Sequence, residues 1–201
     1  MPNFEFEEKY KAEGYKVICG IDEAGRGPLS GPVVAAAVIL PPDVMIPGLN
    51  DSKKLTPKKR DMLYDVILRE AVAVGVGMAS PEEIDRLNIL NADMLAMRRA
   101  VENLKTPPDF ALVDGNIARD LPVTAVPVIK GDALSLSIAA ASVIAKVTRD
   151  RLCIKDDENY PQYGFGKHKG YGTKEHMEAL RTYGPCPIHR RSFLGFLNEK
   201  K

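Results

Sequence analysis

The hydrophobic positions of the chain fall into two patterns: short uninterrupted runs that stop at glycine or proline, and longer stretches where apolar residues recur every three or four positions. Lys16–Asp22 is apolar and rich in β-branched residues, and it runs into Glu23-Ala24-Gly25-Arg26-Gly27-Pro28, which predicts a strand entering a glycine turn. Val33–Leu40, bounded by Pro32 and Pro41, predicts a second strand, buried on both faces and antiparallel to the first. A helix is predicted from Thr56 through Arg69, with Thr56 as N-cap and Pro57 at the first helical position, where the missing N–H costs nothing. Ala71–Met78 follows as a third strand. From Pro81 helical spacing sets in and continues from Asn88 to Leu104, with Met94 and Met97 read as core packing. Phe110–Gly115 and Val123–Ile129 predict strands four and five, and Pro127 assigns the fifth to a sheet edge. After Lys130-Gly131-Asp132, the steps Leu134, Ile138, Ala141, Ala145, Thr148 and Leu152 predict one long helix with a small-residue inner face. Tyr160–Thr173 reads as loop and Lys174–Thr182 as a short helix.

Three strands in succession, followed by strands alternating with helices, predict an α/β fold with a mixed sheet, its first hairpins antiparallel and its later strands parallel. At 201 residues and about 150 per domain, the expectation is one domain over 1–201, with 160–201 as a basic C-terminal extension. The composition, 45% hydrophobic and 27% charged, suffices for a core and excludes a disordered chain. The formal net charge of +1 marks no global field, but residues 151–201 carry ten Lys and Arg against six Asp and Glu. That stretch also holds all three histidines, His168, His176 and His189, so it is the first place to look for a polyanion contact. Cys19, Cys153 and Cys186 are odd in number and lack a Cys-x-x-Cys spacing, which argues against a disulfide framework or a zinc site. The N-terminus is acidic where a signal peptide would be basic, and no apolar run nears the roughly 18 residues of a membrane span. A cytoplasmic protein without membrane contact is expected.

Four acids stand at strand or helix termini from distant parts of the chain: Asp22 and Glu23, Asp114, and Asp132. An acid at the end of a buried strand must be hydrogen-bonded, neutralised or paired with a cation. Turn chemistry at Asp114-Gly115-Asn116 and helix capping at Asp132 are local alternatives. If the four converge, a divalent cation is the natural counterion, and all-oxygen ligation favours Mg2+ or Mn2+ over zinc. Two such ions, about 3.5–4 Å apart, suit in-line phosphoryl displacement by water. Gly25-Arg26-Gly27 directly after the first two acids adds backbone that a ligand approaches closely, and a guanidinium for phosphate. No nucleotide-triphosphate or dinucleotide fingerprint is present.

The ordered set GIDEAGRG over Gly20–Gly27, DSKKL over Asp51–Leu55, VDG over Val113–Gly115, KGD over Lys130–Asp132, SIAAASVIAKVTRD over Ser137–Asp150 and HKGYGT over His168–Thr173 resembles bacterial ribonuclease HII. The resemblance implies a ribonuclease-H-like fold with a five-stranded mixed sheet flanked by helices. It also implies metal-dependent hydrolysis of the RNA strand of RNA–DNA hybrids and nicking on the 5′ side of single ribonucleotides in duplex DNA, leaving 3′-hydroxyl and 5′-phosphate ends. Carried over residue by residue, Asp22, Glu23, Asp114 and Asp132 match the catalytic carboxylates holding two Mg2+ or Mn2+ ions. Gly25, Arg26 and Gly27 match the segment that recognises the 2′-hydroxyl, and Tyr171 the tyrosine that senses the same group and packs on the adjoining deoxyribose. Lys53, Lys54, Lys146 and Arg149 are expected to contact substrate, and Lys167, Lys169, His189, Arg190 and Arg191 to extend a backbone-tracking surface. A monomer is expected, with a replication clamp as a candidate partner. A resolvase- or transposase-type nuclease is the first rival reading and would ignore the 2′-hydroxyl; a hybrid-binding module would bind without product.

Overall fold

The computed structural model describes residues 1–197; the last four, 198–201, which belong to the expected C-terminal extension, lie outside the described residues. Helix α1 (Glu5–Ala12) precedes the first hairpin, β1 (Ile18–Ala24) and β2 (Val33–Ile39). Then come α2 (Pro57–Glu70), β3 (Ala73–Ala79), α3 (Pro81–Leu87), α4 (Ile89–Glu102), β4 (Phe110–Asp114) and β5 (Thr124–Val128). The chain finishes with α5 (Gly131–Leu134), α6 (Leu136–Asn159), α7 (Phe165–His168) and α8 (Lys174–Tyr183). The five strands form one sheet in the order β3-β2-β1-β4-β5. β1 and β3 flank β2 antiparallel, whereas β4 lies parallel to β1 and β5 parallel to β4. This is the expected mixed sheet, with Pro127 on its edge strand, where the absent N–H leaves no neighbour unpaired.

Helices cover both faces. Ala35, Ala37 and Val33 of β2 pack with Ala92, Ala96 and Met97 of α4 on one side, while Ala36 and Val38 pack with Ala140, Val143 and Ile144 of α6 on the other. A strand covered on both faces has no polar positions, which is why β2 reads as a continuous apolar run. The sheet and α6 approach so closely that a Cβ at Gly20 would fall inside the backbone of Ser137 and Ile138. That contact holds α6 against β1 and fixes where the helix passes the strand's carboxyl end.

Local chemistry explains several boundaries. Thr56 accepts from the Lys59 amide as expected, and Ser80 with Glu83 closes a reciprocal capping box at the start of α3. The helical run from Pro81 is not continuous: Asn88 takes φ +67° and caps α4 through the Asn91 amide, so the chain turns between α3 and α4. The long helix expected after Asp132 is likewise split at Ser135, whose hydroxyl accepts from Ile138 N and donates to Glu7 of α1. Within the expected loop, Phe165–His168 forms one helical turn. All three cysteines are free and buried, and no helix among the described residues is long and apolar enough to cross a membrane.

Candidate active site

Asp22 and Glu23 lie near the carboxyl end of β1, and the parallel register that sets Ile21 beside Val113 brings Asp114 to the same end of the sheet. From the edge, β5 feeds α5, which returns Asp132 to the cluster; its amide donates to Asp114 Oδ1 at 3.3 Å. Asp132 sits inside the first turn of α5 rather than at its cap, so the capping alternative is removed. One carboxylate oxygen each from Asp22, Asp114 and Asp132 lies within 4.8 Å of the others. The fourth acid, Glu23, stands beside this triad with its carboxylate 3.7 Å from the Arg26 guanidinium.

Such crowding resists ionisation. Burial, followed by the charges of Glu23 and Asp114, raises the Asp22 carboxyl well above the usual range. Burial and then Asp114 and Asp51 bring Asp132 up to about 6. Glu23 is also raised by burial, with Arg26 opposing. For Lys53 burial pulls the ammonium down, but Asp22, Asp132, Asp51 and Asp114 together outweigh it and raise its pKa. These groups titrate as a set. Three carboxylates that repel one another, with Glu23 beside them and no sulfur or imidazole among them, form a donor set that fits a hard divalent cation.

Beside the acids opens a cleft of about 220 Å³. Gly25, Arg26, Gly27, Lys53, Lys146 and Tyr171 are among its lining residues. Tyr171 is 47% exposed, and a Cβ at Gly27 would lie 3.5 Å from its ring. Gly25 has φ +99°, and a Cβ there would enter the side chain of Arg149, so the turn needs glycine twice over. Lys54 is exposed and outside this lining; Lys146 pairs with Asp150 at 2.7 Å.

Five cations or rings expected on the substrate surface are placed elsewhere. Arg149 is buried, with its guanidinium donating to the carbonyls of Ser30, Pro32 and Lys169. Arg190 is fully buried and donates to the carbonyls of Gly25, Arg26, Pro28 and Gly31. His189 and His176 are also interior, their Nε2 atoms 3.0 Å apart. Their partners determine both tautomers: the Cys186 amide donates to His189 Nδ1, His189 Nε2 donates to His176 Nε2, and His176 Nδ1 donates to the Tyr171 carbonyl. His168 is buried as well, accepting from the Gly170 amide and facing the Tyr163 carbonyl at 2.7 Å. The physical reason is common to all: these groups satisfy loop backbone that would otherwise be buried without partners. Lys167 and Arg191 are exposed as expected, and Lys169 is half-buried.

Asp93 of α4 and Asp51 escaped the sequence reading. Asp93 is 1% exposed, 3.5 Å from Arg26 Nε, and its Oδ1 has no partner; burial and then Glu23 push it up to about 8. Its only local signal was a charge within an apolar helix face.

A sheet of three antiparallel strands continued by two parallel ones, with acids gathered at the carboxyl ends of β1 and β4, defines the class: a ribonuclease-H-like nuclease fold. Ribonuclease H2 from Pyrococcus horikoshii superposes with a TM-score of 0.74 at 28% identity, covering 88% of this chain and 93% of that one. The ribonuclease HII of Archaeoglobus fulgidus, solved in complex with PCNA, gives 0.73 at 26% identity, covering 92% and 98%. Ribonuclease HII of Acetivibrio thermocellus is 58% identical over 188 residues, 94% of this chain and 73% of the relative. The chain belongs to the ribonuclease HII family, whose match spans residues 19–195, and is an enzyme of the ribonuclease H type acting on RNA–DNA substrates.

Proposed function

We propose that this enzyme cuts the RNA strand of RNA–DNA hybrids and nicks duplex DNA on the 5′ side of a single embedded ribonucleotide, leaving a 3′-hydroxyl and a 5′-phosphate. The observation that carries the proposal is that Asp22, a member of the Asp22–Asp114–Asp132 triad, lines one cleft together with Glu23, the Gly25–Gly27 turn and Tyr171. Asp22, Asp114 and Asp132, with Glu23 beside them, would hold two Mg2+ or Mn2+ ions. When bound, divalent ions supply Lewis-acid activation of water and charge neutralisation at the scissile phosphate. The protein's own contribution is positional. The Gly25–Gly27 backbone and the Tyr171 ring read the ribose at its 2′-hydroxyl, Arg26 offers its half-exposed guanidinium to a phosphate, and Lys53 and Lys146 face the cleft as further cations. The single domain works as a cytoplasmic monomer in removing ribonucleotides from DNA, and the complex of the Archaeoglobus relative with PCNA supports a sliding clamp as partner.

The test is a labelled DNA duplex with one ribonucleotide, incubated with Mg2+ or Mn2+ beside an all-DNA duplex and a metal-free control. A single nick 5′ to the ribonucleotide, absent from both controls, is the expected result. Equal cleavage of the all-DNA duplex transfers the site to a general nuclease, and binding with no cut in either metal returns the acids to a structural role.

A further inference from the structure

We infer that Arg190 is a positioning residue for substrate recognition: by holding the carbonyls of Gly25, Arg26 and Pro28 from the interior, it turns the amides of Arg26 and Gly27 outward to the ribonucleotide and locks that turn to the loop bearing Tyr171. This inference rests on the proposed reading of the cleft.

The argument starts from an electrostatic cost. Arg190 is 0% exposed, and among the described residues no carboxylate lies within ion-pair distance of it. A buried guanidinium without an anion is expensive unless its donors are satisfied. Here Nη2 donates to Gly25 O at 2.6 Å, Nη1 to Arg26 O at 2.9 Å and Pro28 O at 2.8 Å, and Nε to Gly31 O at 2.9 Å. Four carbonyls from seven consecutive residues therefore converge on one planar cation.

Peptide planarity converts this convergence into a direction. In a trans peptide the C=O of one residue and the N–H of the next point opposite ways. With the Gly25 and Arg26 carbonyls aimed inward at Arg190, the N–H groups of Arg26 and Gly27 aim away from it. No hydrogen bond among the described residues uses either N–H as donor. Both residues line the cleft beside the carboxylates. Two adjacent, outward, unpaired amides suit a hydroxyl or phosphate oxygen. The same rule can be checked at the third carbonyl. Pro28 O faces Arg190, so the Leu29 N–H must point oppositely, and it donates to Gly170 O at 2.8 Å, one residue before Tyr171. One guanidinium thus orients both the amide pair and the strut between the two recognition loops.

The experiment compares wild type with R190K, whose ammonium keeps the charge but cannot span four carbonyls in a plane. The single-ribonucleotide duplex is the substrate, with Mn2+, and the all-DNA duplex the competing inhibitor; the inhibition constant of the latter divided by KM measures discrimination. R190K is expected to lose about tenfold in this ratio through a raised KM. Its Mn2+ affinity, followed by water-proton relaxation, stays unchanged. L180A, which loosens the same C-terminal packing without touching the turn, is expected to retain the ratio. A folded R190K that keeps wild-type discrimination overturns the inference and leaves the proposed function standing. Wild-type protein that shows no discrimination overturns both. Because R190K can fail to fold, amide hydrogen exchange on wild type supplies a second reading: the Leu29 amide is expected to be protected throughout, and those of Arg26 and Gly27 only when the ribonucleotide duplex is added. Absence of that added protection overturns the inference.

Discussion

Asp93 shows how one residue couples stability to the site. Its carboxyl ionises at 3.8 in an unfolded chain but at about 8 in the fold, so the unfolded state releases its proton first. The contribution is therefore most favourable below about pH 4 and is lost as pH rises toward 8. D93N is expected to gain on wild type in urea unfolding by about 1–3 kcal/mol between those limits, because an amide is neutral in both states and takes up no proton on folding. An unchanged difference across that pH range would show that Arg26 already neutralises the acid. Asp22, Glu23, Asp114 and Asp132 were legible because acids at strand ends are unusual. Asp93 was not, since a charge in a helix is ordinarily solvated and only tertiary packing buried this one. Arg149, Arg190 and His189 were misplaced for the same reason: a basic residue in a loop carries no local sign of whether its donors meet water or backbone.

At the scale of elements, the contact of β1 with α6 is the stringent one. G20A places a methyl against the Ser137–Ile138 backbone, where neither side is a flexible tip, and is expected to destabilise by about 1–3 kcal/mol or more. Thermal melts will read this loss, and activity is expected to fall with it because the same contact holds α6, whose Ser142 and Lys146 line the cleft, against β1. The C-terminal extension, α7 and α8, is expected to weaken in acid. Burial, and then the neighbouring His176, lower His189 to about 4, so below 6.5 the unfolded chain takes up a proton that the folded chain refuses. Stability is complete above 6.5 and falls as pH descends to about 4, by up to about 3 kcal/mol. The stability difference between wild type and H189Q is expected to narrow across that interval; a constant difference would refute the neutral histidine pair. Most element boundaries followed from caps and periodicity, yet α1 was missed. Its buried Glu7 finds Ser135 and the Ser137 amide, more than 120 residues away, and no local pattern announces such partners.

For the whole molecule, the repelling acids predict a fold that is stabilised by its own cofactor. Mn2+ is expected to raise the melting temperature of wild type by mass action and to leave D22N unmoved. Protons compete for the same oxygens, so the apparent metal affinity is expected to climb as pH rises through about 6, where Asp132 titrates. Isothermal titration with Mn2+ at several pH values checks the direction, and an affinity indifferent to pH would remove the triad from metal binding. The sequence by itself determined the α/β class, the five strands, the edge position of the strand with Pro127, and which acids stand at strand and helix ends, because period, proline and charge at strand ends are properties of neighbouring residues. The tertiary structure alone decided which acids converge within 4.8 Å, that Asp93 stands behind Arg26, and that Arg149, Arg190 and the histidines serve the interior. Those facts depend on strand order and on donors meeting carbonyls far away in the chain, and such meetings exist only once the chain has folded.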